Sequence, residues 1–131
     1  MKRSLAIGEM IVAPGCKQRG MLPVPGAPDI PLTVVNGSED GRCALILAGT
    51  HGTEYPGIVA TIRLADMLDP TEVKGAILLV HLLNRPQFQA RTPFVGPDGD
   101  NLNAAYPGDP EGSTTRRIAD VVTHKLLPYA D

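Results

Sequence analysis

Apolar residues along the chain fall into short runs divided by blocks of glycine and proline, and the period changes from run to run. Leu5 to Ala13 is a short apolar stretch, followed by a Pro/Gly-rich block from Pro14 to Pro31 that reads as turns and extended connections. Pro31-Leu32-Thr33-Val34-Val35 is a β-branched run closed by Asn36-Gly37, a turn signal. After the polar break Ser38 to Arg42 comes a second run, Cys43 to Gly49. These two runs predict adjacent strands, with a hairpin left open because the intervening loop is longer than two residues. From Glu54 to Leu68 the spacing becomes helical, with Ile58, Ile62 and Ala65 on one side. Pro56 fits because it falls in the first turn, where a missing N–H has no partner to lose. Asp69-Pro70 ends the helix, and Ala76 to Leu83 is a continuous apolar run of the kind found in strands buried on both faces. Strand, helix and strand in this order predict a right-handed crossover between parallel neighbours.

Residues 84 to 112 show no period and are rich in Pro, Gly, Asp and Asn, which is usual for a functional or disordered loop. Ser113 is placed to cap a helix running to Leu127, with Ile118, Val122 and Leu126 at i+4 spacing and Pro128 as its stop.

Composition narrows the class. A chain of 131 residues fits one domain, and with no Trp, two Phe and three Tyr its core must be aliphatic. Lys plus Arg number 12 against 14 Asp plus Glu, and no basic run is interleaved with aromatics, so nucleic acid is not an expected partner. A basic amphipathic stretch and an apolar run of membrane-spanning length are both missing from the sequence, and Gly8 and Glu9 interrupt the only candidate leader. Cys16 and Cys43 have no CxxC spacing. A disulfide between them stays open, but reduced cytoplasmic thiols are the expectation.

The strongest chemical signal is Ala48-Gly49-Thr50-His51-Gly52-Thr53-Glu54-Tyr55-Pro56-Gly57. His51 follows the end of a buried strand and Glu54 opens a helix, which is where open α/β sheets bind ligands. Gly49 and Gly52 let the backbone turn tightly there. An imidazole nitrogen and a carboxylate oxygen can converge on one metal ion; two His and one Glu with water is a catalytic zinc set. The same residues also fit a plainer role, with His51 capping the strand and Glu54 complementing the helix dipole. Phosphate binding is disfavoured, because neither GxxxxGK[ST] nor GxGxxG is present.

The second stretch is Asn84 to Gly108, with Arg91 in a polar loop and Asp98, Asp100, Asn101 and Asn103 crowded around Gly99. Asn and Arg side chains suit a substrate carboxylate or amide. Taken alone, Asp98-Gly99 and Asn103 are equally ordinary turn formers.

HGTEYPG after a strand, an asparagine after the next strand, and then R…DGxNLNxxYPGD before a helix together resemble the succinylglutamate desuccinylase/aspartoacylase family of zinc-carboxypeptidase-like deacylases. The resemblance runs from the PLTVVNG strand to the last helix. It implies an α/β three-layer sandwich with a mixed, largely parallel central sheet. It also implies Zn2+ held by His51 and Glu54, substrate contacts from Arg91 and Asn103, and hydrolysis of a small N-acyl amide, such as an N-acyl amino acid, by zinc-activated water.

Two departures temper that expectation. Where the family pattern reads NLNR this chain has Ala104, and losing a bidentate charge-assisted contact weakens binding by about 2–3 kcal/mol. The family's third ligand, a His on the following strand, and its general base, a Glu, would lie beyond Asp131. Residues 1–131 are therefore read as the amino-terminal part of a deacylase domain whose sandwich is incomplete, inactive on its own. The alternative is a non-catalytic chain that retains only the scaffold. His81 and His124 are the remaining histidines; His81 reads as a core residue and His124 as a surface one. A sheet stopped at this point presents an edge through which copies could self-associate.

Overall fold

The computed structural model describes residues 2–131. A small hairpin of β1 (Leu5–Ile7) and β2 (Met10–Val12) stands beside a four-stranded sheet. That sheet contains β3 (Cys16–Val24), β4 (Ala27–Asn36), β5 (Glu39–Leu47) and β6 (Lys74–Val80), in the order β3-β4-β6-β5. The sheet is mixed, as the resemblance implies. β3 with β4 and β4 with β6 run antiparallel, and β5 with β6 runs parallel across α1 (Tyr55–Met67). A short α2 (Arg85–Ala90) follows β6, and α3 (Thr114–Val121) continues through a wide π turn (Val122–Leu126) and a 3-10 turn (Leu127–Tyr129).

Burial explains this arrangement. β4 and β6 are central, and their side chains split between two cores. Ile30, Leu32, Val34, Leu78 and Val80 pack with Ile118, Val122 and Leu126 and with the β1–β2 hairpin. Val35, Leu79 and Ala65 form a smaller cluster under α1. The sheet is thus the middle of three layers.

Two expectations change. The runs 31–37 and 43–49 do not form a hairpin, because β6 lies between β4 and β5. The apolar run Ala76 to Val80 of β6 gains most by burying both faces, which the centre of the sheet provides and an edge does not. The Pro/Gly block 14–31 is mostly strand, a long β3–β4 hairpin turning at Pro25-Gly26. Its prolines are tolerated by position: Pro23 lies on the edge strand, and Pro28 and Pro31 precede Leu32, where pairing with β6 begins. The helix predicted over 113–127 is present, and Ser113 Oγ accepts the Arg116 N–H as its cap.

Candidate metal centre

Three loops meet at the carboxyl ends of the parallel strands β5 and β6. The first carries His51 and Glu54 between β5 and α1. The second follows β6: Leu83 and Asn84 donate their N–H groups to the carbonyls of Ala48 and Gly49 at 2.8 and 2.9 Å, and Asn84 Nδ2 reaches Thr50 O at 3.3 Å. The third, after α2, is tied in by Gly52 N–H, which donates to Thr92 O at 3.0 Å. The glycines permit this closeness. Gly49 has φ +69°, and a Cβ there would come within 2.8 Å of Leu82 Cδ1; a Cβ on Gly52 would lie 2.1 Å from Gln87 O.

Glu54 occupies the cap position of α1, one residue before the first helical residue, yet its side chain makes no capping bond. The carboxylate turns back instead. Oε1 accepts the His51 backbone N–H at 2.9 Å, and Oε2 lies 3.0 Å from His51 Nδ1. This does not fit the plainer role of a carboxylate serving only the helix. His51 is buried and its other nitrogen, Nε2, lies 3.0 Å from Asn101 Oδ1. That oxygen also accepts the Asn103 backbone N–H at 3.0 Å, so it is the amide oxygen that faces the ring, and Nε2 is the donor. Nδ1 and Glu54 Oε2 are then both electron-rich and face one another. At that separation a proton or a cation has to lie between them.

The titration behaviour agrees. Burial disfavours charge on His51, but the bonds to Asn101 and Glu54 and the Glu54 charge outweigh it and raise the ring above its ordinary 6.5. For Glu54 the burial effect, which acts upward, is outweighed by the His51 ring bond, backbone bond and charge, and the carboxyl falls below 4.5. Phe94 closes one side of the ring, edge to face at 5.8 Å.

The donor set fits zinc. Two ligands about 2.0–2.2 Å from a tetrahedral ion stand roughly 3.3–3.6 Å apart, so the pair, 3.0 Å apart here, needs to open by only a few tenths of an ångström to admit one. An Nε2–H held by an outer carbonyl is the usual support of a metal-binding histidine. Among the described residues no third His, Cys, Asp or Glu completes a cluster. His81 is occupied elsewhere, buried between Thr33 Oγ1 at 2.7 Å and Thr61 Oγ1 at 3.3 Å. His124 is exposed and pairs with Asp120.

Arg91 is exposed at the end of α2 in a left-handed conformation (φ 54°), adjacent to the Thr92 carbonyl that binds Gly52. Asn103 is exposed and reaches the site only through its backbone N–H. Asn101 is the amide of this loop that touches His51. Sequence reasoning named it as one of a crowd but did not choose it.

An α/β domain with a His–Glu pair at the carboxyl ends of parallel strands, backed by an amide, has its candidate site where open α/β sheets bind ligands. The catalytic-domain profile of the succinylglutamate desuccinylase/aspartoacylase family matches residues 40–131, and the chain belongs to that family. The N-alpha-acetyl-L-2,4-diaminobutyric acid deacetylase of Halomonas elongata is 41% identical over 122 residues, covering 87% of this chain and 35% of that protein. A succinylglutamate desuccinylase/aspartoacylase from Rhodobacter sphaeroides superposes with TM-score 0.80 at 34% identity, over 88% of this chain and 38% of that one. An aspartoacylase family protein from Mesorhizobium loti gives TM-score 0.82 at 34% identity, over 91% and 39%. The product-bound ectoine utilization protein EutE (DoeB) of Ruegeria pomeroyi gives 0.78 at 36%, over 88% and 37%. The chain therefore spans little more than a third of the length of these relatives. No helix among the described residues is long and apolar enough to cross a membrane.

Proposed function

We propose that these residues form the amino-terminal part of a zinc-dependent deacylase that removes the acyl group from a small N-acyl amine or amino acid. The observation that carries the reading is the convergence of His51 Nδ1 and Glu54 Oε2, with Asn101 fixing the far nitrogen. His51 and Glu54 are the proposed ligands. Zinc, when bound, supplies a Lewis acid for the scissile carbonyl and an activated water. The chain's own part is to hold the His51 proton at Nε2 so that Nδ1 is the nitrogen facing Glu54, to keep the carboxylate turned into the site, and to present Arg91 and Asn103 to the substrate. The third ligand and the general base are proposed to lie outside these 131 residues. The relatives' names make N-acetyl-2,4-diaminobutyrate and N-succinylglutamate the first substrates to try.

Ala104 favours a second reading, a scaffold without catalysis, since an exposed alanine stands where the family pattern has its arginine. A chelator-competition titration of zinc with amine release from both substrates tests the two. Weak zinc binding lost in His51→Ala and no turnover by the 131-residue chain is the expected result. Turnover by the zinc-loaded chain would overturn the half-site reading, and zinc affinity unchanged in His51→Ala would overturn the ligand assignment. The outer edge of β5 has no strand partner among the described residues and is the proposed surface for self-association. A monomer in sedimentation at high concentration would remove that proposal.

A further inference from the structure

The segment 98–102 joins the site to α3, and its side chains alternate between the two. Asp98 accepts the Thr115 N–H at 2.7 Å with one oxygen and the Thr115 hydroxyl at 3.0 Å with the other. Asp100 Oδ2 accepts the Ser113 hydroxyl at 2.5 Å and Arg116 Nε–H at 3.2 Å. Leu102 is fully buried in the cluster that contains Ile118. Asn101 lies between them with extended backbone (φ -102°, ψ 122°), so its side chain points to the opposite side, onto His51. The even-numbered residues grip the helix, and the odd one reaches the ring.

We infer that Asp100, clamped by Ser113 and Arg116 at the start of α3, is a positioning residue that acts through Asn101 on the ring of His51. Asn101 has no other anchor of its own kind: its Oδ1 is shared only between Nε2–H and the Asn103 N–H. The place of that oxygen is set by the backbone on either side of it. On the amino side this backbone is held by the Asp100 N–H on Asp98 Oδ1 at 3.1 Å, by the Asp100 carbonyl, which accepts the Gly96 N–H at 2.9 Å, and by the Asp100 carboxyl, which the Ser113 hydroxyl first, and Arg116 with it, hold below the usual carboxylate range. Releasing Asp100 frees Asn101 to withdraw, and Nε2–H then faces water. The inference deepens the zinc-site reading, but its test is read on the imidazole without metal or substrate, so that the two fail separately.

The experiment is 1H–15N NMR of the histidine ring nitrogens at constant pH, on the unaltered chain, Asp100→Ala, Asp100→Asn and a remote control, Lys17→Met. The hydrogen-bonded Nε2–H of His51 is expected as a protected downfield resonance in the unaltered chain. It is lost to water exchange in Asp100→Ala, and present again in Asp100→Asn, which keeps an oxygen for Ser113. Should Asp100→Ala fail to fold, Ser113→Ala removes the shorter of the two clamping bonds and is read the same way. A resonance that survives both Asp100→Ala and Ser113→Ala overturns the inference. Equal loss in Lys17→Met also overturns it, because general loosening would then be the cause.

Discussion

His51 Nε2 donates to Asn101 Oδ1 across 3.0 Å, although the two residues stand fifty positions apart in the chain. This bond decides which ring nitrogen is left for Glu54. A neutral imidazole with its proton on Nε2 offers its lone pair at Nδ1, on the side where the carboxylate already stands. The orientation of the candidate centre therefore rests on an amide in a different loop from either proposed ligand.

Removing that amide oxygen tests its part in the centre. Asn101→Leu is expected to weaken zinc binding by about 10–100-fold, the usual cost of losing an outer partner of a metal-binding histidine. Asn101→Asp, which keeps the acceptor, is expected to restore most of it. Chelator competition measures both, and equal affinities in all three proteins would refute the role.

Gly52 is the close-packing point of the site. An alanine there would put Cβ 2.1 Å from Gln87 O and 2.6 Å from Thr92 O, so the loops must separate. Gly52→Ala is expected to cost about 1–3 kcal/mol in urea unfolding and to weaken zinc binding as well. Gly99→Ala is a contrast with open space around it, although its φ of +84° adds backbone strain.

His81 gives a pH dependence of definite sign. Burial, with Arg19 adding to it and Asp66 opposing, holds the ring below its ordinary 6.5. A depressed histidine contributes stability that is fully present above about 6.5 and lost as pH falls through the lower folded value. His51, which is raised, works in the opposite sense. The unfolding midpoint is expected to drop between pH 7.5 and 5 less steeply in His81→Gln than in the unaltered chain. Parallel pH profiles would refute this.

Lys17 supplies α1 with a charge its own last turn lacks. From β3 its ammonium reaches Ala65 O at 2.7 Å and Leu68 O at 2.8 Å, while the helix carries no basic residue in that turn. Lys17→Met is expected to lower stability by about 0.3–1 kcal/mol, with the difference shrinking at high salt. Urea titrations at two ionic strengths measure it.

What was legible in the sequence was local. His51 and Glu54 are three residues apart in one loop bounded by a strand and a helix, so spacing alone brings nitrogen and carboxylate within reach. The α1 period, the Ser113 cap and the apolar run of β6 are likewise properties of neighbouring residues. α2 was missed because Asn84-Arg85-Pro86 reads as the end of a strand; the same residues also cap a helix, with Asn84 Oδ1 accepting the Gln87 N–H.

The tertiary structure decided what depends on distant partners. Asp98, Asp100, Asn101 and Asn103 are chemically similar and nearly consecutive, and nothing in their order says which one faces His51. That follows from α3, whose first turn holds Asp98 and Asp100 and so turns Asn101 the other way. The neighbour of β4 is likewise settled by β6, which buries both faces only by entering between β4 and β5. Spacing determines which groups can meet, because the backbone links them directly. Which of them do meet is set by the burial and hydrogen bonds of segments far along the chain.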